Sequence, residues 1–217
     1  MRFTRRFIPV VLLALVAVSG TVVAVSSEGG ALAPTPRTGA GPFFPPDDGR
    51  EADNDLTEVP GSTGEPQGQR LYMEGQVTDT AGKPLPGTQI TIWQTDVWGK
   101  YDHPRERRVD GSGKPLPKDP HFQYWGRTVT DGEGRYVFKT IVPGNYGRPE
   151  HIHCRFEHAE FRTLDTEMQF AGDPKIEGDF VTENLAGRER LAVPLVEPRE
   201  GQDPRAKRAV FDVVLTP

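Results

Sequence analysis

Eight consecutive residues, Tyr146-Gly147-Arg148-Pro149-Glu150-His151-Ile152-His153, hold side chains suited to chemistry. On a β-strand, side chains at i and i+2 point to one face, roughly 7 Å apart at the backbone. His151 and His153 can therefore converge on one metal ion while Ile152 turns back into a core. Taken alone, the pair is equally well read as two core or surface histidines that bind nothing. Its setting favours a metal. The chain has five histidines, and two of them sit at ligand spacing. The turn just before them presents Tyr146, and a Gly-rich turn after the apolar strand with Trp93 presents Tyr101. Neutral imidazole with anionic oxygen suits iron better than magnesium or calcium. A phenolate is a strong anionic donor that holds the ferric state. Free tyrosine ionises near pH ~10, so only a strongly Lewis-acidic metal keeps it deprotonated at neutral pH.

Composition narrows the alternatives. The 217 residues are enough for one domain with extensions. A formal net charge of -5 gives no electrostatic reason to expect nucleic-acid binding. Cys154 is the one cysteine, which excludes an intrachain disulfide and a zinc site built on several thiolates.

The elements that must position these residues are short. With 24 Gly and 21 Pro, the chain favours turns and brief strands over long helices. Strands are predicted over Leu71 to Val77, Gln89 to Gln94, Gly126 to Thr130, Tyr136 to Ile141, His151 to Phe156, Thr166 to Phe170 and Ala209 to Leu215. Phe180 to Leu191 reads as a stretch holding a short helix, and Gly99 to Gln123 as a long loop, functional or disordered. The fold class is mainly β, an antiparallel sandwich.

The N-terminal segment is organised differently. Arg2, Arg5 and Arg6 precede an apolar run from Phe7 to Val25, the order of an export signal. The alternative is a retained membrane anchor, since about 20 residues span a bilayer. The expected division is residues 1–26 as signal or anchor, 27–70 as a Pro/Gly-rich acidic arm, and 71–217 as the β domain. In the arm, Asp47 to Glu58 reads as solvated, while Phe43-Phe44 can dock on the domain. The expected location is outside the cytoplasm, with membrane contact only through an uncleaved N-terminal segment.

An ordered series of motifs adds to this reading. It comprises Gly41-Pro42-Phe43-Phe44-Pro45, Asp53-Asn54-Asp55-Leu56, Gly75-Gln76-Val77-Thr78-Asp79, Ile92-Trp93-Gln94-Thr95-Asp96, Gly99-Lys100-Tyr101, Thr130-Asp131-Gly132-Glu133-Gly134 and Thr140 to Tyr146, followed by the Arg-Pro-Glu-His-Ile-His block. In this order they resemble the intradiol ring-cleavage dioxygenases, the family of protocatechuate and catechol dioxygenases. The resemblance implies a transthyretin-like sandwich binding Fe(3+) through Tyr101, Tyr146, His151 and His153. It makes Tyr146 and His153 axial, with Tyr101 and His151 equatorial. It gives Tyr146 a second task, leaving the metal so that it or a solvent hydroxide accepts a substrate proton, and places Arg148 beside the ring as an electrostatic stabiliser. The substrates implied are an aromatic diol and O2, both oxygen atoms entering a muconate-type diacid. The competing reading is a silent sandwich that binds aromatic ligands without turnover. A zinc hydrolase fits two tyrosines poorly. The resemblance leaves a homo-oligomer open.

Two departures from the family bear on specificity. Only Gly147 separates Tyr146 from Arg148, where well-known members have a longer loop. Thr166-Glu167 stands where the family often has Thr-Gln, so a carboxylate either enters the pocket or points to solvent. Among the remaining residues, Cys154 reads as core. Trp93, Trp98 and Trp125 read as packing or pocket wall, and His103, His121 and His158 as loop or surface. Arg105, Arg107 and Arg108 read as a solvated cluster that can attract carboxylated aromatics.

Overall fold

The structure, a computed structural model, describes residues 30–46 and 52–217. The predicted export segment and residues 47–51 lie outside the described residues. Among the described residues, no helix is long and apolar enough to cross a membrane.

Among the described residues, nine strands form two facing sheets. β1 (Arg70–Asp79) is the axis of the first, with β4 (Arg135–Ile141) antiparallel on one side. On its other side β8 (Lys207–Val210) and then β9 (Val213–Leu215) run parallel to it. The second sheet has the order β3 (Trp125–Val129), β2 (Gln89–Trp93), β5 (His151–Glu157), β6 (Leu164–Phe170) and β7 (Ala192–Val193). Its ladders are antiparallel except for the last, β6 with β7. The sandwich is as expected, with parallel pairing added where late segments of the chain return to a sheet.

The inner faces follow from alternation. Met73, Val77, Ile90, Ile92, Phe138, Ile152, Cys154, Phe156, Met168 and Phe211 meet in one buried core. Cys154 is a core residue, as predicted, and burial pushes its thiol pKa up. The strand expected over Ala209 to Leu215 is two strands, because Phe211 and Asp212 leave the ladder between them. Of the short helix expected within Phe180 to Leu191, the structure has one 3-10 turn, Arg188–Arg190, after a run of turns. The Arg190 and Leu191 amides donate three residues back, to Gly187 and Arg188, the tighter pattern of such a turn.

The central strands of the second sheet, β2, β5 and β6, are buried on both faces. β5 is almost wholly buried, although its odd-numbered residues turn away from the inter-sheet core. What covers that outer face is the arm and the long loops. The arm runs across the sandwich edges, with the Leu32 amide donating to the Thr80 carbonyl and the Thr35 amide to that of Val214. Further on, the Thr38 and Gly39 amides donate to Asp165, and the Thr166 hydroxyl to the Pro36 carbonyl. Phe43 and Phe44 then pack with Trp93, Tyr101, Trp125 and Tyr146 in a second cluster. The acidic segment is less solvated than expected over residues 52–58. Leu56 is fully buried, and its backbone bonds to Lys139 and Gln123 stitch it to the domain.

Candidate metal centre

Cross-strand register builds the floor of the site. Trp93 on β2, His153 on β5 and Glu167 on β6 are direct partners in one row, and His151 pairs with Gln169 in the next. Direct partners share a face, so all five stand on the outer face of the second sheet. The Trp93 ring stacks on His153, with centroids 5.1 Å apart and planes 8° apart.

Two turns bring the tyrosines. Asp96 organises the first: its carboxylate accepts from the amides of Trp98 and Lys100 and from the Tyr124 hydroxyl. Burial outweighs those bonds and raises the Asp96 pKa. The second turn, before β5, docks on the first by backbone contact, the Gly144 amide donating to the Asp96 carbonyl at 2.8 Å. A Cβ at Gly144 would lie 2.1 Å from the Val97 carbonyl oxygen, so only glycine allows this approach. Phe43 of the arm stacks on Tyr101, with centroids 4.5 Å apart.

The four predicted donors converge. The Tyr101 and Tyr146 hydroxyls are 3.4 Å apart, Tyr146 Oη is 3.0 Å from His151 Nε2, and the two Nε2 atoms are 3.2 Å apart. Donors at right angles about a first-row metal, each roughly 2.1 Å from it, are themselves about 3.0 Å apart. The spacing therefore fits a shared ion.

The protonation states fit as well. His151 Nδ1 lies 2.6 Å from the Pro149 carbonyl, which can only accept, so Nδ1 carries the proton and Nε2 offers its lone pair to the cluster. Neither nitrogen of His153 has a partner outside the cluster, since its buried Nδ1 is unpaired. Burial lowers the pKa of both imidazoles and keeps them neutral, as metal ligands must be. Burial also raises the pKa of Tyr101 far above that of free tyrosine, and raises that of Tyr146. Two phenols so placed ionise only beside a strong cation.

Arg148 reaches the same point. Gly147 adopts φ 113°, a left-handed conformation that reverses the chain within one residue. Tyr146 and Arg148 thus both address His151, the latter with Nη1 3.2 Å from Nε2. The short link predicted to alter the pocket achieves this convergence. Glu167 does not point to solvent: its side chain is 1% exposed and ion-paired to Arg148 at 2.6 Å. It also lies with His151 and His153 in a group whose donor atoms are within 4.8 Å of one another. Both its oxygens are already engaged, however, Oε1 by Arg148 and Gln169 and Oε2 by Arg148. The available donor set is two phenols and two imidazoles.

The family model described as Dioxygenase matches residues 40–217. The chain belongs to the intradiol dioxygenase family. It is 38% identical to the protocatechuate 3,4-dioxygenase beta chain of Burkholderia cepacia, over 69% of this chain and 66% of that one. It is 31% identical to the catechol 1,2-dioxygenase of Acinetobacter baylyi, over 84% of this chain and 62% of that one. The chain thus spans just under two thirds of these curated relatives. Among solved structures, it matches the dioxygenase domain of a dioxygenase carbohydrate-binding protein fusion from Streptomyces sp. SirexAA-E. That match has TM-score 0.61 and 29% identity, covering 84% of this chain and 98% of that domain.

Some contributors escaped the sequence reading. Asp179 pairs with Arg148 from 31 residues away, and nothing local marks it. Arg108 is no solvated charge: it is held by Glu106 and lies 5.3 Å from the centre of the Tyr146 ring. The pair Glu106 and Arg108, two apart in the long loop, was the available signal. Trp98 stays 42% exposed, whereas Trp93 and Trp125 are buried beside the tyrosines. His121 bonds to Ser62, and His103 meets Phe43 edge-on; neither joins the centre.

Proposed function

We propose that this member of the family is an iron(III) intradiol dioxygenase, with Tyr101, Tyr146, His151 and His153 as the metal ligands. The substrates are a catechol-type diol and O2, and the ring opens between its two hydroxyl-bearing carbons. Both oxygen atoms enter the product, a muconate-type diacid, so no external reductant is required. The carrying observation is the convergence of two buried phenol oxygens and two neutral imidazole nitrogens within about one coordination sphere.

When bound, ferric iron supplies the Lewis acidity that keeps phenols ionised and activates a chelated diol toward O2. The chain's own groups do the rest. Tyr101 is fully buried under Phe43, which suits a permanent anionic ligand. Tyr146 is half-buried and more accessible, which suits it to take up a substrate proton. Arg148, fixed by ion pairs, keeps its cation beside His151. The arm residues Phe43 and Phe44 keep water from the Tyr101 and Trp93 side of the site. Export, proposed from the order of charge and apolar residues in 1–26, makes the site of action extracytoplasmic.

The test is to purify the protein, measure its iron and visible spectrum, and follow dissolved O2 with added catechols. The expected result is a red-brown protein with about one iron per chain, O2 uptake and a muconate-type product. A colourless protein that stays so after iron loading would sink the ligand set. A colour change with catechols but no O2 uptake would leave a binding module.

A further inference from the structure

Arg148 has five N–H groups in a planar fork, and four of them are engaged by carboxylates. Nε and Nη2 donate to Asp179 at 3.0 and 2.8 Å. Nη2 and Nη1 donate to Glu167 at 2.6 and 3.1 Å. The remaining Nη1 hydrogen faces His151 Nε2. Both bidentate edges that could receive a ligand carboxylate are therefore filled by carboxylates of the chain itself.

The charge balance points the same way. Arg148, Glu167 and Asp179 sum to one negative charge, with both acid side chains 1% exposed. Three neighbouring cations are also occupied. Arg108 is paired with Glu106, Arg155 with Asp165, and the Lys100 ammonium donates to the Leu116 carbonyl. Gln169 braces the arrangement, with Nε2 2.9 Å from Glu167 and 3.3 Å from Asp179. Nothing in this network is loose enough to turn a guanidinium toward a new anion without stranding a buried carboxylate.

We propose that Glu167 and Asp179, by clamping Arg148 on both edges, make this centre select uncharged catechol rings and reject carboxylate-bearing ones. The inference rests on the iron(III) dioxygenase reading and deepens it by naming the substrate class. Glu167 and Asp179 are specificity-determining residues that act through Arg148 and through their field at the metal. A unit charge several ångströms away, at an effective dielectric of about 20, changes the affinity of a charged ligand by roughly 10- to 100-fold.

The test uses anaerobic optical titration of the iron-loaded full chain with two probes of one shape, 3,4-dihydroxybenzamide and 3,4-dihydroxybenzoate. The wild-type protein is expected to bind the uncharged amide at least ~10-fold more tightly. Glu167→Gln and Asp179→Asn, which remove one negative charge from opposite edges of Arg148, are each expected to narrow that ratio by ~10-fold or more. Circular dichroism of each variant verifies its fold. Equal wild-type affinity for the two probes overturns the proposal whatever the variants do. So does a ratio that neither folded variant changes. In both cases a visible band that responds to the probes leaves the iron site standing. A wild-type protein with no such band instead overturns the dioxygenase reading and this inference with it.

Discussion

Gly99 lies against the carbonyl of Asn145, so closely that a Cβ on Gly99 would sit 2.2 Å from that oxygen. Gly99 is two residues before Tyr101, and Asn145 is the residue before Tyr146. The distance between the two phenols is thus set by a backbone contact that has no room for a side chain. Gly99 also has φ 76°, a region in which a side chain is strained. Gly99→Ala is expected to push the tyrosine turns apart and to lower iron occupancy at a fixed iron concentration. Iron content and the visible band measure this, and an unchanged band would show that the turns adapt.

The imidazoles make a different contribution from the phenols. Tyr101→Phe removes an anionic donor that is stacked under Phe43, leaving the ring packing in place. Iron affinity should fall by about 10- to 100-fold or more, as even loss of a ligand's hydrogen-bond partner costs that much in metal sites. His153→Ala should lose iron and also open a cavity beside Trp93. A melting scan of the two metal-free proteins is expected to show the histidine variant as the less stable.

Leu56 tests whether the acidic segment belongs to the domain. It is fully buried, and Gly126 leaves space for it: a Cβ there would lie 2.4 Å from Leu56 Cδ1. Leu56→Ala is expected to cost about 2–5 kcal/mol, measured by denaturant unfolding. A cost under about 0.5 kcal/mol, typical of surface positions, would return the segment to the solvated arm.

Asp55 and Lys139 tie that segment to β4 with an ion pair of 2.8 Å. Burial alone would raise the Asp55 pKa, but the hydrogen bonds from Lys139 and Thr57 outweigh it and leave the pKa below the usual carboxylate value of 3.8. A carboxyl whose folded pKa is depressed contributes stability above its unfolded pKa, and that contribution disappears as pH falls through the folded value. Wild type should exceed Asp55→Asn by up to about 1 kcal/mol near pH ~6. Melting curves taken from pH ~6 down to pH ~3 should converge. A gap that stays constant over this range would assign the effect to packing.

Much of the β architecture was legible because strands leave a local trace. The alternation of Tyr136, Phe138 and Thr140 announces one buried face of β4, and all three are buried. The double strand at the C-terminus was not legible. A break at Phe211 and Asp212 depends on where β1 offers its edge, as the bonds from the Phe211 amide to Glu74 and from the Gln76 amide to the Asp212 carboxylate show. The short helix expected within Phe180 to Leu191 shrinks to one 3-10 turn for a related reason. Asp179 and Thr182 are drawn inward to the Arg148 network, so the segment follows its anchors rather than a helical period.

By itself the sequence determined which atoms are available for chemistry. Two histidines at i and i+2 on a strand share a face whatever lies around them, because the strand period is two. Motif order carried Tyr101 and Tyr146 to the same reading. Tertiary structure alone decided what surrounds them. The Trp93–His153–Glu167 row exists only through the register of three strands separated by long stretches of chain. Whether Glu167 faced solvent or Arg148, and whether Arg148 had a free edge, depended on Asp179 arriving from a distant turn. Contacts between residues far apart in the chain have no local pattern to announce them, and they set the charge of the pocket.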